Sequence, residues 1–169
     1  NLRRCFEMKI NPFIIAIVAL ACVSCRTKGQ QVNLLSNGDF NSDSYWECGY
    51  DVKIFDGEAH ATLEIPKYHT QWCQFLSQRV RVNPGKDYIL TAMAKSSLPA
   101  LKSSVYVGVR HDDGSVLKDI EYLLFQKDMT PLKVEFNSGT DTSVVVFCGS
   151  WANQTVEFTF DDFCLAEMK

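Results

Sequence analysis

Residues 72–95 read WCQFLSQRVRVNPGKDYILTAMAK, and their alternation decides the fold. Leu76, Gln78, Val80 and Val82 share one parity, and Phe75, Ser77, Arg79 and Arg81 take the other. A strand sends successive side chains to opposite faces, so the valines face a core and the arginines face water. Asn83-Pro84-Gly85-Lys86 is a tight turn, because Pro presets φ and Gly tolerates positive φ. Beyond it Tyr88, Leu90, Ala92 and Ala94 alternate with Ile89, Thr91, Met93 and Lys95. Two long antiparallel strands joined by that turn are expected. Neither is apolar on both faces, which points to antiparallel sheet with one covered side.

A parity conflict lies inside this stretch. Trp72 and Gln74 share the parity of Val80 and Val82. They can face outward only if a bulge reverses the register, and nothing in the residues locates one. Gln78, on the valine face, is expected to be a buried, hydrogen-bonded amide.

The same alternation extends outward. A first strand is expected over residues 32–35, then a turn at Asn37-Gly38-Asp39, with Phe40 re-entering the core. Residues 52–55 and 59–65 read as a hairpin about Asp56-Gly57, and residues 103–110 and 116–125 as another about Asp112-Asp113-Gly114. Residues 132–136 follow, then 144–148, the most apolar and hence central strand. Residues 149–154 read as a loop holding Trp151, and strands over 156–160 and 163–165 close the chain. No segment sustains a helical period. Roughly ten short strands separated by turns define an all-β, two-sheet antiparallel β-sandwich with a jelly-roll path.

The start of the chain has a different character. Met8-Lys9-Ile10-Asn11 precedes the apolar run of residues 13–23, the form of a secretory signal beginning at Met8. Ala19-Leu20-Ala21 suits a general signal peptidase, whereas Cys25, or in second place Cys22, follows a small residue as in a lipoprotein signal. Residues 1–25 are therefore read as a signal region, 26–31 as a short tether, and 32–169 as one domain. The product is expected in the cell envelope, touching membrane only through such an anchor, or else periplasmic or secreted.

Of 17 Lys/Arg and 20 Asp/Glu, three and one fall within residues 1–25, leaving 14 against 19 and a net charge of −5. A nucleic-acid backbone needs a dense basic patch, and none is present. A neutral partner and a monomer are expected. Cys48, Cys73, Cys148 and Cys164 in an exported domain allow disulfides, Cys48 with Cys73 or Cys148 with Cys164 among them, or four thiols.

Three stretches resemble the carbohydrate-binding modules of families 4, 9 and 22. They are Asn33-Leu34-Leu35-Ser36-Asn37-Gly38-Asp39-Phe40, then residues 78–88 (QRVRVNPGKDY), then Asp161-Asp162-Phe163-Cys164-Leu165. The resemblance implies a galactose-binding-domain-like jelly roll, a cleft on one sheet for polysaccharide or oligosaccharide of β-glucan or xylan type, and a structural calcium away from it. Asn41 stands where the family commonly has an acid after this phenylalanine.

Sugar recognition needs aromatic rings for the apolar C–H face of a pyranose and paired donors and acceptors for its hydroxyls. The rings that read least like core are Trp46, Tyr50, Trp72, Tyr106 and Trp151, with Gln74 and Arg110 as polar companions on the parities of Trp72 and Tyr106. Each ring alone also reads as ordinary packing. For calcium, Asp39, Asp56, Asp161 and Asp162 are the candidate ligands, and capping of their own turns is the competing reading. Catalysis finds little support. His60, His69 and His111 lack metal spacing, Glu64 and Glu121 are an arbitrary carboxylate pair, and no nucleophile elbow occurs. A non-catalytic glycan binder is expected, with a structural or protein-interaction sandwich as the alternative and a small glycan-degrading enzyme third.

Overall fold

The computed structural model describes residues 32–49, 51–64, 71–98, 104–124, 128–152 and 155–169. The signal region with Cys22 and Cys25, the tether 26–31, and Tyr50 lie outside the described residues. Among the described residues ten strands follow in order: β1 Glu47–Cys48, β2 Val52–Phe55, β3 Glu58–Leu63, β4 Gln71–Arg81, β5 Asp87–Ser96, β6 Ser104–Arg110, β7 Val116–Leu123, β8 Thr130–Asn137, β9 Ser143–Ala152 and β10 Val156–Glu167. They make two five-stranded antiparallel sheets, ordered β1-β4-β9-β6-β7 and β2-β3-β10-β5-β8. The result is an all-β jelly-roll sandwich.

Side-chain alternation accounts for the layers. In β3, β5 and β8 every second residue is buried, and the buried set is Ala, Leu, Val, Tyr or Phe with few exceptions. The central strand β9 is flanked by β4 and β6, and its Val144, Val146 and Cys148 are fully buried. Phe75, Phe158 and Phe160 meet between the sheets at ring separations of 5.4 to 6.2 Å. Burying one such ring stabilises the fold by about 2 to 3 kcal/mol.

Three local expectations are corrected. Residues 72–95 are not a hairpin: β4 and β5 lie in opposite sheets, and the Pro84-Gly85 turn arches between them. The arch is held by Tyr88 of β5 and by the segment between β8 and β9. The Asn83 N–H donates to Tyr88 Oη at 2.8 Å, Val82 N–H to Thr142 O at 3.0 Å, and Gly85 N–H to Gly139 O at 2.7 Å. Residues 32–35 form no strand. The Asn33 side chain replaces a ladder there, donating to Phe163 O at 2.9 Å and accepting from the N–H groups of Leu35 and Leu165 at 3.0 and 2.9 Å. Residues 149–152 are not loop but the end of β9, paired with β4, so Trp151 stands on a strand.

Gln78 is the buried amide its parity predicts, 7% exposed. It accepts from Ser36 N–H at 2.8 Å and donates to Ser36 O at 2.9 Å. That pair ties the opening segment to β4.

Candidate functional site

The register of β4 shifts between Gln74 and Leu76, so Phe75 is the extra residue of a bulge. Phe75 and Leu76 are both core, whereas Trp72 and Gln74 before the bulge face away from it, as Ser77 and Arg79 do after it. The bulge resolves the parity conflict and puts the indole and amide on the outer face of β1-β4-β9-β6-β7. Gly49, whose N–H donates to Phe75 O at 2.7 Å, packs against it.

Cross-strand register assembles the rest. Gly149 pairs with Gln74 on one side and Tyr106 on the other, and Trp151 pairs with Trp72. A side chain at Gly149 would meet Trp72, whose Cζ2 would lie 2.6 Å from the added carbon, so the indole lies over the glycine. The Trp72 ring is 5.6 Å from Tyr106 at 79° and 5.7 Å from Trp151 at 53°. Trp151 keeps 50% of its surface exposed. Beneath them Phe147, on the outer side of β9, is 6.3 Å from Trp72 and nearly fully buried.

Polar groups line the same surface. The Arg110 guanidinium lies 3.9 Å from the centre of the Phe147 ring, a cation–π contact. Its Nη1 donates to Gln74 Oε1 at 2.6 Å; Gln74 Nε2 donates to Ser77 Oγ at 3.1 Å; Ser77 Oγ donates to Glu47 Oε2 at 3.0 Å. This chain crosses from β6 to β1 and holds each group in place. Burial pushes the guanidinium below its usual pKa, opposed by the Asp119 charge. Its Nε is buried without a protein partner, and an unmet donor costs about 1 to 3 kcal/mol until a ligand or water accepts from it. At the β7 side, burial and a hydrogen bond with Glu121 push the Tyr106 phenol up.

The structure therefore brings together Trp72, Gln74, Tyr106, Arg110 and Trp151. Trp46 does not join them. It is 6% exposed, packed against Phe40 at 5.4 Å and Phe163 at 5.1 Å, and its Nε1 donates to Asn37 O at 2.9 Å. The positive φ of Tyr45, 77°, turns it inward, and Tyr45 is left exposed instead. Phe147, Ser77, Glu47 and Gly149 escaped the sequence reading. One signal was available: Val144-Val145-Val146-Phe147 is apolar on both parities, so its outer side is covered as well.

The acids expected to bind calcium are partly convergent. Burial, then Asp162, Glu58 and Asp39, raise the pKa of Asp161. Asp39 Oδ2 accepts from Asn41 Nδ2 at 2.6 Å, Lys95 Nζ is 3.4 Å from Glu58, and Asp56 sits in the β2–β3 turn at φ 53°. Among the described residues no group of three or more His, Cys, Asp or Glu side chains is arranged to hold a metal ion. A calcium cage of six to eight oxygens at these acids would have to draw further ligands from backbone carbonyls.

Cys48 is an exposed thiol and Cys148 a buried one, so no complete pairing of the four cysteines forms. Burial drives the Cys148 thiol far up. Glu64 follows β3 in one sheet and Glu121 lies on β7 in the other, so they do not face each other across a cleft.

The chain has the fold of carbohydrate-binding modules. A CBM4 module superposes with a TM-score of 0.61 at 17% identity, covering 79% of this chain and 99% of that one. The N-terminal cellulose-binding domain of a β-1,4-glucanase from Cellulomonas fimi gives 0.59 at 14% identity over 82% and 99%. A CBM61 module in complex with β-1,4-galactotriose gives 0.59 at 18% identity over 81% and 99%. No family model matches the sequence. The pesticidal crystal protein Cry1Ja of Bacillus thuringiensis is 36% identical over 63 residues, 37% of this chain, and the matched stretch is 5% of that protein's length.

Proposed function

We propose that this chain binds polysaccharide or oligosaccharide without transforming it, on the outer face of β1-β4-β9-β6-β7. One observation carries this: Trp72, Trp151 and Tyr106 converge there with Gln74 and Arg110, on a face whose central floor is glycine. Rings supply the apolar contact for pyranose C–H groups, and the amide, guanidinium and phenol meet the hydroxyls. The hydrogen-bond chain from Arg110 to Glu47 holds these groups before a ligand arrives, which lowers the ordering cost of binding. Five strands spaced about 4.8 Å apart give a face roughly 19 Å wide, enough for several sugar units. The fold likeness to a cellulose-binding domain and to a galactotriose-bound module supports a glycan chain as the ligand. Within that class we favour a β-glucan or xylan. Delivery to the cell envelope, with Cys25 or Cys22 lipidated, belongs to the same proposal and rests on residues 8–25 alone.

Affinity electrophoresis and calorimetry against soluble β-glucans, xylans and galactans test the proposal. Trp151→Ala and Tyr106→Ala each weaken binding about ten- to a hundredfold. Phe55→Ala removes an exposed ring of the opposite sheet and leaves binding unchanged. Failure of every glycan to bind, or full affinity in Trp151→Ala, removes the proposal.

A further inference from the structure

Acidic side chains border the rings on both margins of the face. Glu47 stands on β1, hydrogen-bonded to Ser77. Asp119 and Glu121 stand on β7, opposite Gly108 and Tyr106 in register. Arg110 is a cation of this face, and it is engaged from within by Gln74 and the Phe147 face. Arg79 shares a row with Arg110 but is tied to Asp112 at 2.6 Å, and Arg81 lies a row further away. The surface near the rings thus carries more negative than positive charge.

Tyr106 on β6 stands directly opposite Glu121 on β7, one strand or about 5 Å away, which is inside the Debye length of about 8 Å at physiological salt. A sugar resting on the rings therefore feels the β7 carboxylates. An ammonium group there also meets ring faces, which attract cations.

Resting on the glycan reading above, we propose that this face sorts glycans by charge. It admits neutral and amine-bearing chains and repels carboxylate-bearing ones, with Asp119 and Glu121 as the specificity-determining residues.

The test holds the backbone constant and changes only its charge: hydroxyethyl cellulose, carboxymethyl cellulose and a quaternary-ammonium derivative of hydroxyethyl cellulose, with neutral arabinoxylan beside glucuronoxylan as a second set. At low salt the anionic member binds about five- to tenfold more weakly than the neutral one, and the cationic member binds more tightly. The spread closes in molar salt. Asp119→Asn with Glu121→Gln narrows the neutral-to-anionic ratio. Glu135→Gln with Glu157→Gln, an equal charge change on the opposite sheet, leaves it as it was. Equal binding of neutral and anionic polymers at low salt overturns the inference, and so does equal narrowing by the two double variants. Binding by none of the polymers removes the glycan reading itself and this inference with it.

Discussion

The indole of Trp72 lies over Gly149, so near that a methyl group on Gly149 would fall 2.6 Å from Cζ2 and 2.8 Å from Cη2. The site's floor is a ring laid on bare backbone. The glycine is needed for space here, since its φ lies outside the positive range.

Gly149→Ala therefore lifts the ring and crowds Cys73 O, which the added carbon would meet at 2.5 Å. Thermal unfolding will show a loss of about 1 to 3 kcal/mol, and tryptophan emission will shift with the displaced indole. Adding Trp72→Ala relieves the ring part of the clash, so the pair is non-additive. Strict additivity of the two changes would show that ring and glycine do not meet.

Gln78→Leu fills the same space but leaves the Ser36 N–H and C=O without their amide partner. The expected cost is about 1 to 3 kcal/mol. Hydrogen exchange then speeds up in residues 33–37 more than in β9. Unchanged protection there would place the anchor of that segment elsewhere.

Asp161→Asn will stabilise the protein near neutral pH. Burial and the neighbouring acids raise the folded-state pKa of Asp161 above its unfolded value. The native state then holds its proton more tightly than the unfolded chain, so stability falls as pH rises from the ordinary carboxylate pKa through the raised one. Asparagine keeps the Oδ1 acceptor that the Asp162 N–H uses at 2.7 Å. The Tm difference from wild type is largest at neutral pH and closes in acid; a constant difference contradicts the assignment. Repeating the scan with calcium tests the sequence expectation of a bound ion, which would make the same substitution destabilising.

Native protein labels at Cys48 with a maleimide and leaves Cys148 unlabelled until denaturant is added, because burial deprives Cys148 of both access and thiolate. Cys48→Ser identifies the labelled position by mass spectrometry. Rapid native labelling of Cys148 would show that β9 opens.

Much of the strand placement along the chain was legible because its signals are local. Period-two alternation in residues 76–82 and 88–94 needs only the strand's own geometry, and Asp56-Gly57 and Asp112-Asp113-Gly114 announce hairpins that form. The site was half legible. Trp72, Tyr106, Trp151, Gln74 and Arg110 were identifiable as residues out of place in a core. Their convergence was not, because it rests on register between strands far apart in sequence. Trp46 misled for the same reason: a ring beside a polar loop looks exposed until Phe40 and Phe163 close over it.

The sequence by itself determined an all-β sandwich, its central strand and the buried role of Gln78, since alternation and turn chemistry are written residue by residue. Only the tertiary structure decided that the Pro84-Gly85 turn joins two sheets, that the bulge at Phe75 turns Trp72 outward, and that Gly149 receives its ring. Each of those depends on which distant backbone lies alongside, and pairing between strands is a property of the packed chain, absent from any one segment.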